Sequence, residues 1–454
     1  MNLIGLDIGT TTICGVLYSR NTSEILKVSN LNNAFITSLK GEYQQDPQAI
    51  LQKVKTILDD LIEFSTAAIA GISLSSQMHG ILYVDKDGQA VSSYYTWQNQ
   101  RGLKTTGGIS LEHELSALLG QQVYTGYGIV THYSLFREGN IPPTARYICN
   151  IGDYVCMKLT GGSIPVTDIT LGSSMGICSL ETGTKTKELE AIGTTFNSYL
   201  PEMVSTTTLL GNYSHIPVIQ PLGDNQASFL GSVKDRDKSI LLNYGTAGQI
   251  SFFSEERETH SGLEMRPLGN EGYIHVAFSL CGGKSYALLA RFFEETVSLF
   301  TPNQQVDPMR VMDEMSIDCT EESIDCMPLF LGKRDGKGEF GYFKNITEAN
   351  FTPQHVLTAV VQGMAKELYQ YYEGLSDTTK HRFSHLVGAG NGIRKNRHLQ
   401  NAVSYKFGKP VSLVSHSEES CLGAIINAGK GTGIYSSYQE GAAEIVDYLN
   451  PDDR

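Results

Sequence analysis

The sequence has little of several features that would point to particular classes of protein. It contains one tryptophan in 454 residues, and no apolar run approaches the roughly 20 residues that a membrane helix needs. The eight cysteines include no C-x-x-C pair and no neighbouring histidine at zinc spacing, so we interpret them as reduced core thiols. Basic residues are outnumbered, 35 against 48 acidic, which gives a net charge of −13. Because such a chain repels phosphate backbones on average, nucleic acid is not an expected partner.

The N-terminus, MNLIGLDIGTTT, lacks a basic region and places Asp7 inside its first apolar stretch, so no signal peptide is expected. We therefore expect a soluble cytoplasmic protein with no membrane partner. The N-x-S/T sequons at Asn21, Asn212 and Asn345 are then chance occurrences. With 41% hydrophobic and 18% charged residues, the composition is that of a globular protein, and the length predicts two or three domains.

One pattern, an apolar run followed by a polar turn and a second apolar run, occurs twice. The first copy spans 3–18 and includes the string DIGTTT at 7–12. The second spans 240–253 and turns at Gly245-Thr246. Runs of this length around a tight turn predict paired strands. The repetition indicates a duplicated lobe.

Each copy is followed by a predicted helix and then by a strand. Asp46-Pro47 and Thr352-Pro353 are typical helix starts, and apolar residues follow both at helical spacing. The strands at 70–74 and 385–387 come next. We predict an α/β fold of two lobes, 1–233 and 234–454, each with a mixed sheet, which cross at Lys234–Lys238.

The string DIGTTT could hold a metal-bound phosphate. Mg²⁺ prefers carboxylate and phosphate oxygens and keeps several waters, so one aspartate per lobe, here Asp7, can suffice. The alternative is a hairpin turn with an incidental aspartate. A second such turn at 243–248 favours the first interpretation, because two facing turns would hold both ends of a triphosphate.

A glycine-rich turn, Gly388-Ala389-Gly390-Asn391-Gly392, lies between a predicted strand and a predicted helix around 395–407. Glycine lets the backbone approach a ligand closely, so a nucleotide could bind there. An ordinary connection from strand to helix is at least as plausible. The string does not match G-x-x-x-x-G-K-[ST], which argues against a Walker-type fold.

GDNQAS at 223–228 carries a candidate catalytic base. An ionised Asp224 beside a substrate hydroxyl could accept its proton during phosphoryl transfer. Asp224 could equally be the N-cap of a helix over 226–233. From this residue alone the two interpretations stay balanced.

SQMHG at 76–80 and TWQNQR at 96–101 could bind a polyol, since their amides and Arg101 offer hydrogen bonds to hydroxyl groups. Trp97 is the only tryptophan of the chain. A lone tryptophan is more often a core residue, and a lone histidine more often a structural donor. This interpretation therefore depends on other observations.

These strings together resemble the FGGY family of carbohydrate kinases over nearly the whole chain. DIGTTT and LNYGTAGQIS (242–251) resemble the family's two phosphate motifs, with Ala247 where the family commonly has serine. VGAGNGIRKN (387–396) resembles its adenosine motif, and GDNQAS resembles the segment with its catalytic aspartate. By this match Asp224 takes the role of the base.

Within the family, the strings TWQNQR, TGYG (125–128), IGDYVCMKLTG (151–161) and VTDITLGSSMG (166–176) resemble the sedoheptulokinases. The resemblance implies ATP-dependent phosphorylation of the terminal hydroxyl of a ketose, with sedoheptulose as the expected substrate. Related ketose kinases usually have aspartate where this chain has Asn99. That difference bears on which sugar hydroxyls are bound.

The resemblance also implies a fold and a set of site residues. The fold is actin-like, with two ribonuclease-H-like lobes flanking a central cleft, the first binding sugar and the second nucleotide. Asp224 is the implied base, and Asp7 and Asp224 are implied at the Mg²⁺. The implied sugar residues are Gln77, Met78, His79, Trp97, Asn99, Asp153 and Asp168. The implied nucleotide residues are Thr10, Thr11, Thr12, Gly245, Thr246, Gly388, Ala389, Gly390 and Asn391.

Two other functions stay open at this point. One is a kinase for another ketose or polyol, such as D-xylulose. The other is an actin-like nucleotide switch or sugar sensor with weak ATPase activity, although a switch needs no base beside a polyol pocket. The sequence leaves the oligomeric state, including a homodimer, open.

Overall fold

A computed structural model describes residues 1–36, 40–180, 182–302, 306–320, 324–332 and 338–449. The chain forms two compact units. The first comprises Met1–Lys234, Arg266–Gly272 and Glu418–Val446, and the second comprises Asp235–Met265, Tyr273–Ser417 and Asp447–Arg454. Within the described ranges, no helix is long and apolar enough to cross a membrane.

The first unit is built on one large mixed sheet and several short strand pairs. Up to Lys234 its strands are β1 (Asn2–Ile8), β2 (Thr12–Ser19), β3 (Glu24–Asn32), β4 (Gln44–Gln45), β5 (Ile69–Ser76), β6 (Leu82–Val84), β7 (Tyr94–Tyr95), β8 (Thr105–Thr106), β9 (Ile109–Ser110), β10 (Tyr147–Cys149), β11 (Val166–Thr167), β12 (Glu202–Met203), β13 (Leu209–Tyr213), β14 (Ile216–Ile219) and β15 (Leu222–Gly223). The large sheet has the order β13-β14-β5-β1-β2-β3, and β15 also pairs with β5.

Seven helices accompany these strands: α1 (Pro47–Phe64), α2 (Leu111–Leu119), α3 (Gly128–Arg137), α4 (Ile151–Leu159), α5 (Ile169–Met175), α6 (Thr194–Asn197) and α7 (Asp224–Leu230). Short 3₁₀ turns cover Arg101–Leu103 and Lys187–Ile192. The predicted start of α1 is confirmed, because the Asp46 carboxylate accepts hydrogen bonds from the backbone N–H groups of Gln48 and Ala49 at 2.8 and 3.3 Å.

The second unit has its own mixed sheet. Its strands are β16 (Ser239–Tyr244), β17 (Gly248–Ser254), β18 (Glu264–Pro267, whose last two residues are assigned to the first unit), β19 (Tyr273–Ser279), β20 (Asp325–Met327), β21 (Tyr342–Lys344), β22 (His385–Ala389) and β23 (Val411–Leu413). Its helices are α8 (Gly283–Phe300), α9 (Pro308–Glu314), α10 (Pro353–Glu373), α11 (Asp377–Arg382), α12 (Asn391–Arg394) and α13 (Arg397–Phe407). The sheet order is β18-β19-β17-β16-β22-β23.

The central strands of the two sheets share one topology, which confirms the predicted duplication. In the first, β1 pairs antiparallel with β2 and parallel with β5, and β2 pairs antiparallel with β3. In the second, β16 pairs antiparallel with β17 and parallel with β22, and β17 pairs antiparallel with β19. Apolar faces of α1 and α10 lie in the respective cores. Each unit is thus an α/β lobe whose sheet has the same five-strand core, β14-β5-β1-β2-β3 in the first and β23-β22-β16-β17-β19 in the second.

Two further helices, α14 (Glu419–Gly431) and α15 (Tyr438–Ile445), return to the first unit. Small residues let α14 approach closely: a Cβ on Gly5 would lie 2.0 Å from the Cys421 carbonyl oxygen, and one on Gly423 would lie 1.9 Å from that of Ala227. The Asn427 amide also donates to the Ser73 hydroxyl at 2.9 Å. The predicted lobes, 1–233 and 234–454, did not include this return of Glu418–Val446 to the first unit. Contacts between segments far apart in the chain do not change the local hydrophobic periodicity from which the lobes were predicted.

Candidate active site

The carboxyl ends of three neighbouring strands bring Asp7 and Asp224 close together in the first unit. β5 runs parallel to both β1 and β15, and Ser75 pairs in register with Asp7 and with Leu222. Asp224 follows directly as the first residue of α7. The cap position belongs to Gly223, so Asp224 is not the N-cap. Polar groups at aligned strand ends meet at one edge of a sheet, as ligand sites of α/β proteins require.

Both carboxyl groups have raised pKa values because the protein shields them from much of the surrounding water. Burial raises the pKa of Asp7 from 3.8 to about 6, and a hydrogen bond from the Ser75 hydroxyl at 2.6 Å opposes the shift. The pKa of Asp224 is raised from 3.8 to about 7, mainly by burial and in addition by the negative charge of Asp7. Mutual repulsion of this kind requires proximity. The expectation that these two distant residues meet is therefore met.

Arg266 is a cation beside Asp224. It lies in the short segment Arg266–Gly272 that belongs to the first unit, and its side chain is 9% exposed. Its charge lowers the pKa of Asp224, against the effects of burial and of Asp7. Its guanidinium also contacts the Met78 sulfur at 3.6 Å. Sequence reasoning missed Arg266, since no motif surrounds it and it lies 42 positions after Asp224 in the chain.

A hydrogen-bonded network joins the DIGTTT turn to two predicted sugar residues. The Trp97 indole N–H donates to the Thr10 hydroxyl at 3.0 Å, and that hydroxyl donates to the Gln77 side-chain oxygen at 3.4 Å. Gln45, which the sequence analysis did not identify, links Thr10 to Gln77. Its amide N–H donates to the Thr10 carbonyl, and its side-chain oxygen accepts from the Gln77 amide. Thr11 and Thr12 are exposed at the turn. Trp97 itself is 45% exposed, so it is not a core residue.

His79 is held in a constrained backbone position next to this network. Its φ is 73°, a region that residues other than glycine rarely adopt. Its backbone N–H donates to the Ser174 hydroxyl at 3.1 Å, its ring Nδ1 lies 2.7 Å from the Ser174 carbonyl oxygen, and the ring stacks on Tyr127. Met78 is buried and lies against Gly223.

Asn99, Asp153 and Asp168 are buried and bonded within the fold. The Asn99 amide donates to the Glu42 carbonyl, and its oxygen accepts from the Arg101 backbone.

Asp168 is the N-cap of α5 and accepts from Leu171 N–H and from the Thr170 and Thr206 hydroxyls. Asp153 accepts from the Gln220 amide at 2.9 Å, and burial raises its pKa well above the usual range. Asn99 and Asp168 therefore stabilise the surrounding loops and helices, whereas burial disfavours the ionised form of Asp153.

In the second unit, a tight turn precedes β17. The Gly245 N–H donates to the Ala247 carbonyl at 3.0 Å, and all three residues of the turn, Gly245, Thr246 and Ala247, are exposed. The start of α8 closes on the turn, because Gly283 N–H donates to the Gly245 carbonyl at 2.9 Å. The exposed backbone and hydroxyl of this turn remain accessible to a ligand.

The string Gly388-Ala389-Gly390-Asn391 lies at the same edge of the second sheet as the turn at 245–247. Gly388 and Ala389 are buried in β22, where Ala389 pairs with Asn243. Gly390, with φ 83°, and Asn391 emerge at the end of the strand. A Cβ on Gly390 would lie 2.5 Å from the Asn243 side-chain oxygen. Only glycine fits this backbone position, so the shape of the turn depends on it.

Comparisons with known proteins agree with these features. Residues 2–231 match the sequence profile of the FGGY family of carbohydrate kinases, N-terminal domain, and residues 344–431 match that of the C-terminal domain. A sedoheptulokinase of Mus musculus is 24% identical, with 95% of this chain and 96% of the relative covered.

Two solved structures share the fold. A ligand-bound xylulose kinase from Lactobacillus acidophilus superposes with a TM-score of 0.83 at 20% identity, covering 100% of this chain and 94% of its own. A Plasmodium falciparum glycerol kinase with ADP gives 0.79 at 18% identity, covering 98% and 92%. The predicted two-lobe, actin-like fold is confirmed.

Proposed function

Because the chain belongs to the FGGY family of carbohydrate kinases and is itself a carbohydrate kinase, we propose that it transfers the γ-phosphoryl group of ATP to the terminal hydroxyl of a ketose. The observation that supports this most is the pairing of Asp7 and Asp224 at aligned strand ends, beside a network of hydrogen-bonding side chains. The preferred substrate in this proposal is sedoheptulose, and the product is sedoheptulose 7-phosphate.

Asp224 is the proposed base. It accepts the proton of the sugar hydroxyl as that oxygen attacks the γ-phosphorus and the bond to the β-phosphate oxygen breaks. A base works best when its pKa is close to the operating pH, and that of Asp224 is about 7. Arg266 favours the ionised form. Arg266 is thus a positioning and charge-balancing residue in this proposal.

Asp7 and Asp224 are the proposed residues at the Mg²⁺. Their donor set fits the ion, since both offer hard carboxylate oxygens. Burial disfavours the ionised form of each carboxyl group, and a nearby dication would stabilise that form. The ion supplies neutralisation of the charge that builds up on the phosphate oxygens. Ser75 fixes the Asp7 carboxylate through Oδ1 and leaves its other oxygen for a ligand or water.

The nucleotide residues form two sets. Thr10, Thr11 and Thr12 in the first unit, and Gly245 and Thr246 in the second, are proposed to bind phosphate oxygens through backbone N–H and hydroxyl groups. Gly390 and Asn391 are proposed to border the nucleoside, with Gly388 and Ala389 fixing that turn from within β22. The exposure of both turns supports this assignment.

The sugar is proposed to contact Gln77, Met78, His79 and Trp97. The network through Thr10 ties these side chains to the first phosphate turn, which would fix the distance between acceptor and donor. Asn99, Asp153 and Asp168 hold the surrounding loops. The Asn99 side chain already makes hydrogen bonds to the backbone of the surrounding loops. Asparagine in place of the aspartate of related ketose kinases is therefore compatible with an unchanged set of sugar contacts.

A kinase for another ketose, such as D-xylulose, is the second candidate, supported by the shared fold of the Lactobacillus acidophilus xylulose kinase. The deciding experiment measures ADP release with Mg²⁺ and ATP over a panel of sugars that includes sedoheptulose, D-xylulose, glycerol and gluconate. We expect the highest kcat/KM with sedoheptulose. A higher value with D-xylulose would favour the second candidate, and no sugar-dependent release would contradict both.

Asp224→Ala tests the proposed base in the same assay. We expect turnover to fall by at least about a hundredfold, since general-base catalysis contributes 10²–10⁴ in rate. Asp87→Asn is the matched control, because Asp87 is exposed on a surface turn. Wild-type turnover in folded Asp224→Ala would remove Asp224 from the base role.

A further inference from the structure

Three side chains in the second unit form a cluster that the proposed reaction does not use. Glu258 and His260 lie in the connection after β17, and His275 lies in β19, where it pairs with Phe252. One ligand atom from each of the three lies within 4.8 Å of the other two. Gly248, which follows the exposed turn at 245–247, lies at one end of the paired strands β17 and β19. The cluster lies at the other end.

The hydrogen bonds of Ser254 determine the tautomer of His275. The Ser254 hydroxyl donates its single proton to the Glu256 carbonyl at 2.7 Å. It therefore accepts at its contact with His275 Nε2, also 2.7 Å. The proton of the neutral ring is then on Nε2, and Nδ1 carries the lone pair.

His275 Nδ1 is buried, and within the described parts of the chain it has no hydrogen-bond partner. A protonated ring would bury an N–H at Nδ1 with no acceptor in the described chain, so the geometry favours the neutral ring. A buried lone pair without a donor costs free energy unless something outside the chain occupies it.

A simple ion pair does not account for the whole cluster. His260 Nε2 lies 3.0 Å from a Glu258 carboxylate oxygen, and Arg382 lies 3.4 Å from the other oxygen. These contacts pair Glu258 with His260 Nε2 and with Arg382 but leave His275 Nδ1 without a partner among the described residues. A metal ion is a ligand that engages all three side chains at once.

We propose that Glu258, His260 and His275 bind one dication of the zinc class. Two imidazoles and one carboxylate are a donor set that suits Zn²⁺, Co²⁺ and Ni²⁺ better than Mg²⁺, which prefers oxygen ligands. Ligating histidines commonly donate their other ring N–H to an oxygen, as His275 does to Ser254. Solvent completes the coordination, since Glu258 is one-third exposed. The bound ion would fasten the 255–262 connection to the sheet.

A competition titration of metal-free protein against a chromophoric zinc chelator tests the site. It is carried out in excess Mg²⁺ without sugar or ATP, so its result is independent of the kinase proposal. We expect one Zn²⁺ per chain in the wild type. His260→Asn and Glu258→Gln should each weaken binding at least about tenfold, and Ser254→Ala should weaken it by a similar factor through loss of the orienting hydrogen bond. His113→Asn, an exposed histidine of the first unit, is the control and should bind like the wild type.

Thermal unfolding supplies a second readout. Zn²⁺ should raise the Tm of the wild type and of His113→Asn, and leave that of the His260→Asn, Glu258→Gln double variant unchanged. Equal Tm values in EDTA would show that the double variant is folded. Zinc bound with equal affinity by the wild type and the double variant would place the metal elsewhere, for example on cysteine, and overturn the proposal. A wild type that binds no zinc would also overturn it and leave water as the partner of Nδ1.

Discussion

Asp224→Asn should stabilise the first unit at neutral and alkaline pH while it removes the proposed base. The pKa of Asp224 rises from 3.8 in an ordinary environment to about 7 in the fold, a shift of about 3 pKa units. Each unit corresponds to about 1.4 kcal/mol, so the ionised side chain lowers the free energy of unfolding by up to about 4 kcal/mol. Because the carboxyl group is partly exposed, about 2 kcal/mol is the expected gain when asparagine replaces it.

The sign of this effect depends on pH in a definite way. Below pH 3.8 the carboxyl group is protonated in the folded and the unfolded chain, and its burial carries no ionisation cost. Between pH 4 and pH 7 the unfolded chain ionises first, so the wild type loses stability relative to the variant. The advantage of Asp224→Asn should therefore be full at pH 8 and small at pH 4.

The measurement is urea unfolding in EDTA, without nucleotide or sugar, at pH 8 and pH 4. Trp97 is the only tryptophan and lies in the first unit, so its fluorescence reports on the unit that contains Asp224. The difference in midpoint multiplied by the m-value gives the free-energy change. Asp87→Asn is the control and should change little at either pH. A loss of stability in Asp224→Asn at pH 8 would refute the reasoning, and so would an equal gain at both pH values.

Three other variants test separate contacts. Arg266→Met should raise the pKa of Asp224 and move the acid limb of the kcat/KM profile to higher pH, whereas Arg266→Lys should move it less; an unchanged limb in Arg266→Met would contradict this role. Gly390→Ala should raise the KM for ATP and lower the free energy of unfolding by about 1 kcal/mol, because alanine is strained at φ 83° and its Cβ would contact the Asn243 side chain. An unchanged KM would remove that turn from the nucleotide site. Asp168→Ala should destabilise the first unit by about 1–2 kcal/mol in urea unfolding through loss of the α5 cap, and a variant as stable as the wild type would show that the cap contributes nothing.

Much of the fold could be predicted from local sequence. The starts of α1 and α10 follow from Asp46-Pro47 and Thr352-Pro353, because a capping side chain and a proline in the first turn act within a few residues. The duplicated strand pattern predicted two α/β lobes because each copy is an apolar run, a polar turn and a second apolar run, which form a pair of buried strands. The candidate base could be found only by resemblance, since Asp224 alone fitted a helix cap equally well.

The site depended on contacts that no local pattern encodes. Asp168 follows a short strand as Asp224 does, yet the fold uses it as a fully bonded cap.

The sequence by itself determined the two strand pairs of the duplicated pattern and the starts of α1 and α10, because those features arise from neighbours in the chain. Only the tertiary structure decided that Asp7 and Arg266 both lie beside Asp224, that α14 packs against α7, and that His275 Nδ1 is buried without a donor. These outcomes depend on desolvation and close approach between residues far apart in sequence, and such effects exist only once the chain has folded.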